Sequence, residues 1–173
     1  MKAITLHQPY AHLVAMSVMG IVASSWGSDY HGPIAIHAAK HRRANENIRV
    51  GEWQFAGKTQ LLWTLDLNDD AGHAFSRDLH DTFGMVLAVS NETHVVPIVS
   101  ASAKRSSSVW REDGKLYWAP PWRNMATAMD ITSRLPYGDF SEGRYAWIFT
   151  DVEPIDPVPA KGHPWVWEWE SEE

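Results

Sequence analysis

The sequence contains no cysteine, which excludes disulfide bonds and zinc sites built on thiolates. It also lacks a long apolar run, and its first residues include His7, Pro9 and His12 rather than a secretory leader. We therefore expect a cytoplasmic protein with no membrane partner. A glycine-rich phosphate loop, a G-x-S-x-G nucleophile elbow and the spacings of common metal ligands are missing too. No cofactor and no metal site are predicted.

Positive charge is scarce, because 15 Lys and Arg stand against 21 Asp and Glu and give a formal net charge of −6. A protein that coats nucleic acid is basic, since neutralising phosphates drives its affinity. Any contact with nucleic acid must therefore be local, in one patch or pocket. The ten tryptophans serve either as packing or, where exposed, as platforms for base stacking.

Residues 4–40 are the stretch around which the chain is organised. An apolar strand precedes Gln8 and Pro9, and proline is typical of the first turn of a helix. Tyr10, Leu13 and Val14 then fall on one helical face. Strands are predicted at about 20–26 and 34–38, with glycine- and proline-containing turns between them. The start of the helix then faces strand ends, a cleft that can hold a small polar or anionic group.

Two blocks at opposite ends of the chain carry a family resemblance. The first contains LHQPYA at 6–11, SW at 25–26, GP at 32–33 and IHAAK at 36–40. The second contains YGDFS at 137–141, GRYAW at 143–147, Pro159, KG at 161–162 and Trp165 or Trp167. Together the blocks resemble the activating signal cointegrator homology (ASCH) domain, a branch of the PUA-like superfamily. Residues 42–134 match little of the family pattern.

The resemblance implies an α+β fold, namely a PUA-like mixed β-barrel of about five to seven strands with flanking α-helices. At this length a single domain over residues 1–173 is expected. The implied partner is RNA or a modified nucleoside or nucleotide, bound in a cleft between the first helix and the barrel. Some family members are amidohydrolases that act on acetylated cytidine derivatives, and others are described as ribonucleases or RNA-binding modules.

The chain departs from the family where charged groups line that cleft. The family pattern is Gly-x-Lys-x-x-Glu-x-Arg, and Met19, Val22 and Ser24 occupy the three charged positions. The resemblance implies that amidohydrolase chemistry uses this lysine as base or nucleophile. Met19 and Val22 cannot titrate, and Ser24 cannot hold a planar anion as arginine does. The departure favours binding over catalysis.

Several further residues are predicted to contact a ligand. Residues 40–43 form the strongest basic cluster and could contact phosphate. Segment 103–123 interleaves cations with aromatic rings and is expected to be an irregular lid or insertion. Arg144 is predicted either to pair with Asp139 or to contact phosphate. The full predicted binding set is Gln8, Tyr10, Met19, Val22, Ser24, Trp26, His37, Lys40, Arg42, Arg43, Trp110 and Arg144.

Three functions remain open from the sequence. The first is an RNA- or nucleotide-binding domain without catalysis. The second is an amidohydrolase or ribonuclease with relocated chemistry, in which Lys40, His37 or Lys161 is the base and Glu112 or Asp139 its partner. The third is a protein-interaction scaffold whose tryptophan-rich C-terminal strand makes the contact.

Two local expectations complete the prediction. Segments 85–89 and 93–99 read as the strands of an antiparallel hairpin, because polar residues separate two apolar runs. The acidic tail at 170–173 is expected to fray.

Overall fold

The computed structural model describes residues 1–40, 48–49, 52–53, 78, 81–122, 127–132 and 139–170. The predicted phosphate contacts Arg42 and Arg43 lie outside the described residues, as do positions 171–173 of the acidic tail. The described ranges are rich in β-strand and contain one short α-helix with described bounds, while Asp78 and Asp81 are also helical. None of their helices has the length and apolar character needed to cross a bilayer.

The elements follow the order predicted for the N-terminal stretch. The helix α1 spans Tyr10–Ala15, one residue beyond the predicted start, and a 3₁₀ turn spans Ala101–Ala103. The strands are β1 (Lys2–Leu6), β2 (Ile21–Ser24), β3 (Ile34–Ala38), β4 (Ile48–Arg49), β5 (Glu52–Trp53), β6 (Met85–Val99), β7 (Ser108–Glu112), β8 (Lys115–Ala119), β9 (Met129–Asp130), β10 (Tyr145–Pro159) and β11 (Val166–Glu168).

Nine of these strands form one mixed sheet. The main path runs β11-β1-β3-β6-β7-β8-β9, and β10 pairs with both β2 and β6. The β1–β3 and β6–β7 pairs are parallel, and the other pairs are antiparallel. Closure into a barrel would require the strands at the ends of this arrangement, β2, β9 and β11, to pair with one another. The described strands form an open sheet instead.

The predicted hairpin at 85–99 is wrong, because β6 runs unbroken from Met85 to Val99. The polar residues that resembled a turn are extended and pair with β10, for example Ser90 with Val152 and Glu92 with Thr150. The Ser90 hydroxyl lies within hydrogen-bond distance of the backbone carbonyl oxygens of both Glu92 and Thr150, which share its proton. Pairing with a distant strand therefore overrides the local turn signal.

The described part of segment 103–123, residues 103–122, is also more regular than predicted. It contains the β7–β8 hairpin, whose two turn residues Asp113 and Gly114 both have positive φ, at 49° and 77°. Such a pair matches the right-handed twist of the flanking strands and makes a tight two-residue connection. This hairpin extends the sheet beyond β6 and corrects the expectation of an irregular lid.

Helix α1 packs its apolar face on the sheet. Leu13 and Val14 are fully buried, as the helical spacing predicted, and Met19 joins them after the helix ends. They share one core cluster with β1 and β3 residues and with the rings of Trp147 and Phe149. The helix start, the end of β1 and the exit of β2 therefore meet at one side of the molecule.

Candidate functional site

The first of two adjoining cavities lies where β1 ends and α1 begins, and we call it the arginine cavity. Its volume is about 410 Å³, which lies within the usual size of a small-molecule site. Its lining includes aromatic rings and, within the described residues, a single ion pair. Its lining is Ile4, Thr5, Leu6, His7, Tyr10, Val22, Ala23, Ser24, Ser25, Trp26, Asp139, Arg144 and Trp147.

The second cavity, which we call the lysine cavity, has a volume of about 1140 Å³ and opens widely to solvent. Lys40, Lys161 and three histidines contribute to it, and no carboxylate appears among its described lining residues. The lining is Thr5, His7, Trp26, His37, Ala39, Lys40, Phe83, Gly84, Met85, Pro159, Ala160, Lys161, Gly162, His163, Pro164 and Trp165. Thr5, His7 and Trp26 line both cavities, so the two spaces adjoin.

A row of three tryptophan rings runs along the boundary between the cavities. Trp147 is buried and donates its indole N–H to the carbonyl oxygen of Trp26 at 3.3 Å. The Trp26 ring contacts Trp147 edge to face at 4.8 Å and Trp165 at 5.1 Å between centroids. Edge-to-face pairs are favourable beyond simple burial. Trp26 is therefore held in place from within, while Trp165 remains 61% exposed at the mouth.

Arg144 and Asp139 form an ion pair in the lining of the arginine cavity, as one sequence alternative predicted. Arg144 Nε lies 3.7 Å from Asp139 Oδ2, which is an ion-pair distance but too long for a hydrogen bond. Two hydrogen bonds from Ser141 are the main cause of the lowered pKa of Asp139, and Arg144 adds to it. The Arg144 Nε atom is shielded from solvent and has no hydrogen-bond acceptor among the described residues. The side chain as a whole is 29% exposed and lines the cavity, so a ligand oxygen in the cavity could contact its guanidinium.

Most of the predicted binding residues that the structure describes line these cavities. Tyr10, Val22, Ser24 and Arg144 line the arginine cavity, and Trp26 lines both. Val22 and Ser24 share a face because side chains alternate along β2. The lining of the lysine cavity includes the predicted residues His37, Lys40 and Lys161.

Three predicted residues line neither cavity. Gln8 is 2% exposed and structural, because its amide donates to Thr82 and its carbonyl accepts from the His12 backbone N–H. Met19 is fully buried in the core. Trp110 is buried on β7, where it stacks on Tyr117. Their burial removes all three from the proposed contact surface.

His37 anchors the segment that carries the lysine-cavity residues 160–165. Its Nε2 lies 3.2 Å from the Ala160 carbonyl oxygen, and its Nδ1 lies 3.2 Å from Thr5 Oγ1. The Thr5 hydroxyl also donates to the His163 carbonyl and accepts from the Trp167 indole. Because both ring nitrogens are engaged and the side chain is buried, His37 holds this segment rather than offering a free base.

The free energy of unfolding is expected to decrease as the pH is lowered below about 6.5, the ordinary pKa of histidine. Burial lowers the pKa of His37 in the fold, although the Ala160 carbonyl opposes this, and burial likewise lowers the pKa of His12. The unfolded chain therefore binds protons more readily. The contribution of His37 is fully present above about pH 6.5 and is lost as pH falls toward the folded pKa. Urea unfolding across this window measures it.

Replacement His37→Gln is expected to flatten that pH dependence partially, because His12 contributes with the same sign. His31 is exposed and does not act on the pKa of His37, so His31→Gln is the matched control for losing one histidine. Equal pH dependence in wild type and His37→Gln would contradict the assignment.

The sequence did not single out Trp165, His163 or Thr5 as site residues. Trp165 has φ +64°, a conformation rare for a bulky residue, and its exposed ring lines the lysine cavity. Within the described residues no group of three His, Asp or Glu side chains converges to hold a metal ion. No family model matches the chain, and no curated protein matches it.

Proposed function

We propose that this chain is a single-stranded RNA- or nucleotide-binding protein of the ASCH type, with a PUA-like arrangement of its sheet. The observation that carries the proposal is the arginine cavity. It combines partly exposed Tyr10 and Trp26 rings with the partly exposed cationic side chain of Arg144 in a space of about 410 Å³. A nucleobase needs these features, because its π-face stacks on aromatic rings and its edge accepts hydrogen bonds.

The candidate catalytic groups already have partners within the fold, and this favours binding over catalysis. A general base must lie within hydrogen-bond reach of the proton that it removes and is usually oriented by a second group. His37 uses both nitrogens within the fold. Glu112 accepts hydrogen bonds from Lys104 and Trp110 on β7, away from both cavities. Asp139 faces Arg144 rather than Lys40 or Lys161.

The scaffold alternative relied on an exposed tryptophan strand at the C-terminal end. Trp169 is 8% exposed and packs in a small core cluster with Ala3, Ala35 and Val86. Trp167 donates its indole N–H to Thr5 Oγ1. Trp165 alone of the three is exposed, and it stands at the cavities. This arrangement supports a ligand site rather than an extended contact face.

Replacement Trp26→Ala is expected to weaken RNA binding by about 5- to 150-fold, because one stacked base is worth about 1–3 kcal/mol. The measurement is fluorescence anisotropy with a labelled short single-stranded RNA of mixed sequence. Trp26→Phe keeps a ring at this position and is expected to recover much of the affinity.

The matched control is Trp122→Ala, because Trp122 is 58% exposed and lines neither cavity. The affinity of the Trp122→Ala variant for the RNA is expected to equal that of the wild type. Equal losses in the Trp26 and Trp122 variants, or no RNA binding by the wild type, would exclude the proposed site.

A further inference from the structure

The lysines that the structure describes fall into two groups. Lys2 pairs with Glu168 at 2.5 Å, Lys104 with Glu112 at 3.0 Å and Lys115 with Asp130 at 3.1 Å. Lys40 and Lys161 are exposed and take part in no ion pair within the described ranges. These two are also the lysines that line the lysine cavity.

The charge of the lysine cavity is opposite to that of the whole protein. The chain carries a formal net charge of −6, yet the described lining of this cavity has two lysines, three histidines and no Asp or Glu. A concave surface lined by one sign of charge concentrates ions of the opposite sign. Unpaired ammonium groups with rotatable donors suit phosphate oxygens. The cavity therefore favours an anion carrying several oxygen acceptors.

The backbone around Lys161 is held by hydrogen bonds on both sides of the residue. The Ala160 backbone N–H donates to the Gly84 carbonyl at 2.9 Å, and the Ala160 carbonyl oxygen lies 3.2 Å from His37 Nε2. Further along, the His163 carbonyl accepts from Thr5 at 3.0 Å. Lys161 therefore extends from an anchored backbone, so its attachment point beside the cavity is fixed.

The mouth of the cavities carries the exposed Trp165 ring. Its backbone lies in the left-handed region, at φ +64°, which is strained for a tryptophan. Strained residues persist where the surrounding structure holds them, and they cluster at ligand sites. The ring contacts Trp26, which lines both cavities. A ligand that passes from one cavity to the other would cross these two rings.

We propose that the lysine cavity binds the phosphates of a single-stranded RNA whose base lies in the arginine cavity, with Lys40 and Lys161 as the phosphate contacts. The inference rests on the proposed function and deepens it. The ligand class is then a phosphorylated nucleotide chain rather than a free nucleoside. Trp26 separates the base from its phosphates, because it belongs to both linings.

The test compares the salt dependence of RNA binding in two double variants. Each phosphate contact on a single strand contributes about 0.7 to the slope of log affinity against log salt concentration. Lys40→Gln with Lys161→Gln is therefore expected to reduce the slope by about 1.4 and to weaken binding at low salt. The probe is the same labelled single-stranded RNA.

The control double variant is Lys104→Gln with Lys115→Gln, which changes the formal charge of the protein equally. These lysines are paired with Glu112 and Asp130 and line neither cavity. We expect its slope to match that of the wild type. If the cavity variant keeps the wild-type slope while Trp26→Ala still loses affinity, the phosphate site is excluded and the proposed function stands. If the wild type binds no RNA, both fail.

A competition experiment distinguishes the base from its phosphate. A nucleoside monophosphate is expected to displace the labelled RNA more strongly than its nucleoside, and this difference is expected to shrink in the Lys40→Gln, Lys161→Gln variant. Equal competition by nucleoside and monophosphate in the wild type would overturn the phosphate site.

Discussion

Replacement Met19→Lys is expected to destabilise the protein by about 3–5 kcal/mol, the typical cost of an uncompensated buried charge. Met19 is fully buried and shares a core cluster with Leu13, Val14 and Trp147. A lysine at this position must either bring its ammonium into that core or lose its proton. Because native domains are typically stable by only about 5–15 kcal/mol, much of the stability would be lost. Urea unfolding measures the change.

The controls come from the other two positions at which the family pattern has a charged residue. Val22 and Ser24 are partly exposed and line the arginine cavity, so Val22→Glu and Ser24→Arg place their charges where water can reach them. Both are expected to fold with far smaller losses. Met19→Leu, which keeps the core apolar, is expected to cost less than about 1.5 kcal/mol. A Met19→Lys protein as stable as the Val22→Glu protein would contradict the described burial.

Replacement Gly162→Ala is expected to cost about 1–3 kcal/mol, the usual cost of overpacking a filled site. A Cβ at this position would lie 2.6 Å from His37 Nδ1 and 3.0 Å from Thr5 Oγ1. The His37 ring is buried and bonded at both nitrogens, so it cannot move aside. The segment carrying Lys161 must shift instead. We therefore expect weaker RNA binding together with the loss of stability.

Gly27→Ala is the matched control for this substitution. A Cβ there would lie 2.5 Å from the Tyr145 ring, an overlap of similar severity. Tyr145 is 36% exposed, however, and its ring can rotate toward solvent. The expected cost is smaller than that of Gly162→Ala. Equal urea midpoints for the two variants would show that His37 is not rigidly held.

The N-terminal part of the fold was predictable because its signals are local. The run Ile34–Ala38 is apolar apart from one histidine, and the strand has the predicted bounds with every residue buried. The strand β6 was not predictable in the same way. Its centre, around Ser90 and Glu92, is polar, and pairing with β10, about 60 residues later, together with β3 at Ser90, keeps it extended. Single-sequence patterns do not contain that contact.

The candidate site was predictable where a predicted strand ends at a cavity. Val22 and Ser24 lie on β2, and all of residues 22–25 line the arginine cavity. Met19 precedes that strand and is buried in the core, which the strand prediction did not indicate. Trp110 is buried on β7, whereas the neighbouring Arg111 is exposed. Interleaved cations and rings therefore indicated a strand whose ring enters the core rather than a binding loop.

Cross-linking to a short single-stranded RNA that contains 4-thiouridine, followed by mapping of the modified peptides, tests directly whether RNA occupies the two cavities. Cross-links are expected at Tyr10, Trp26 and Trp165, which line the two cavities. Cross-linking should decline when unlabelled RNA competes. Cross-links confined to the β7–β8 hairpin would contradict RNA binding in the cavities. So would a cross-linking yield of the wild type no higher than that of the Trp26→Ala variant.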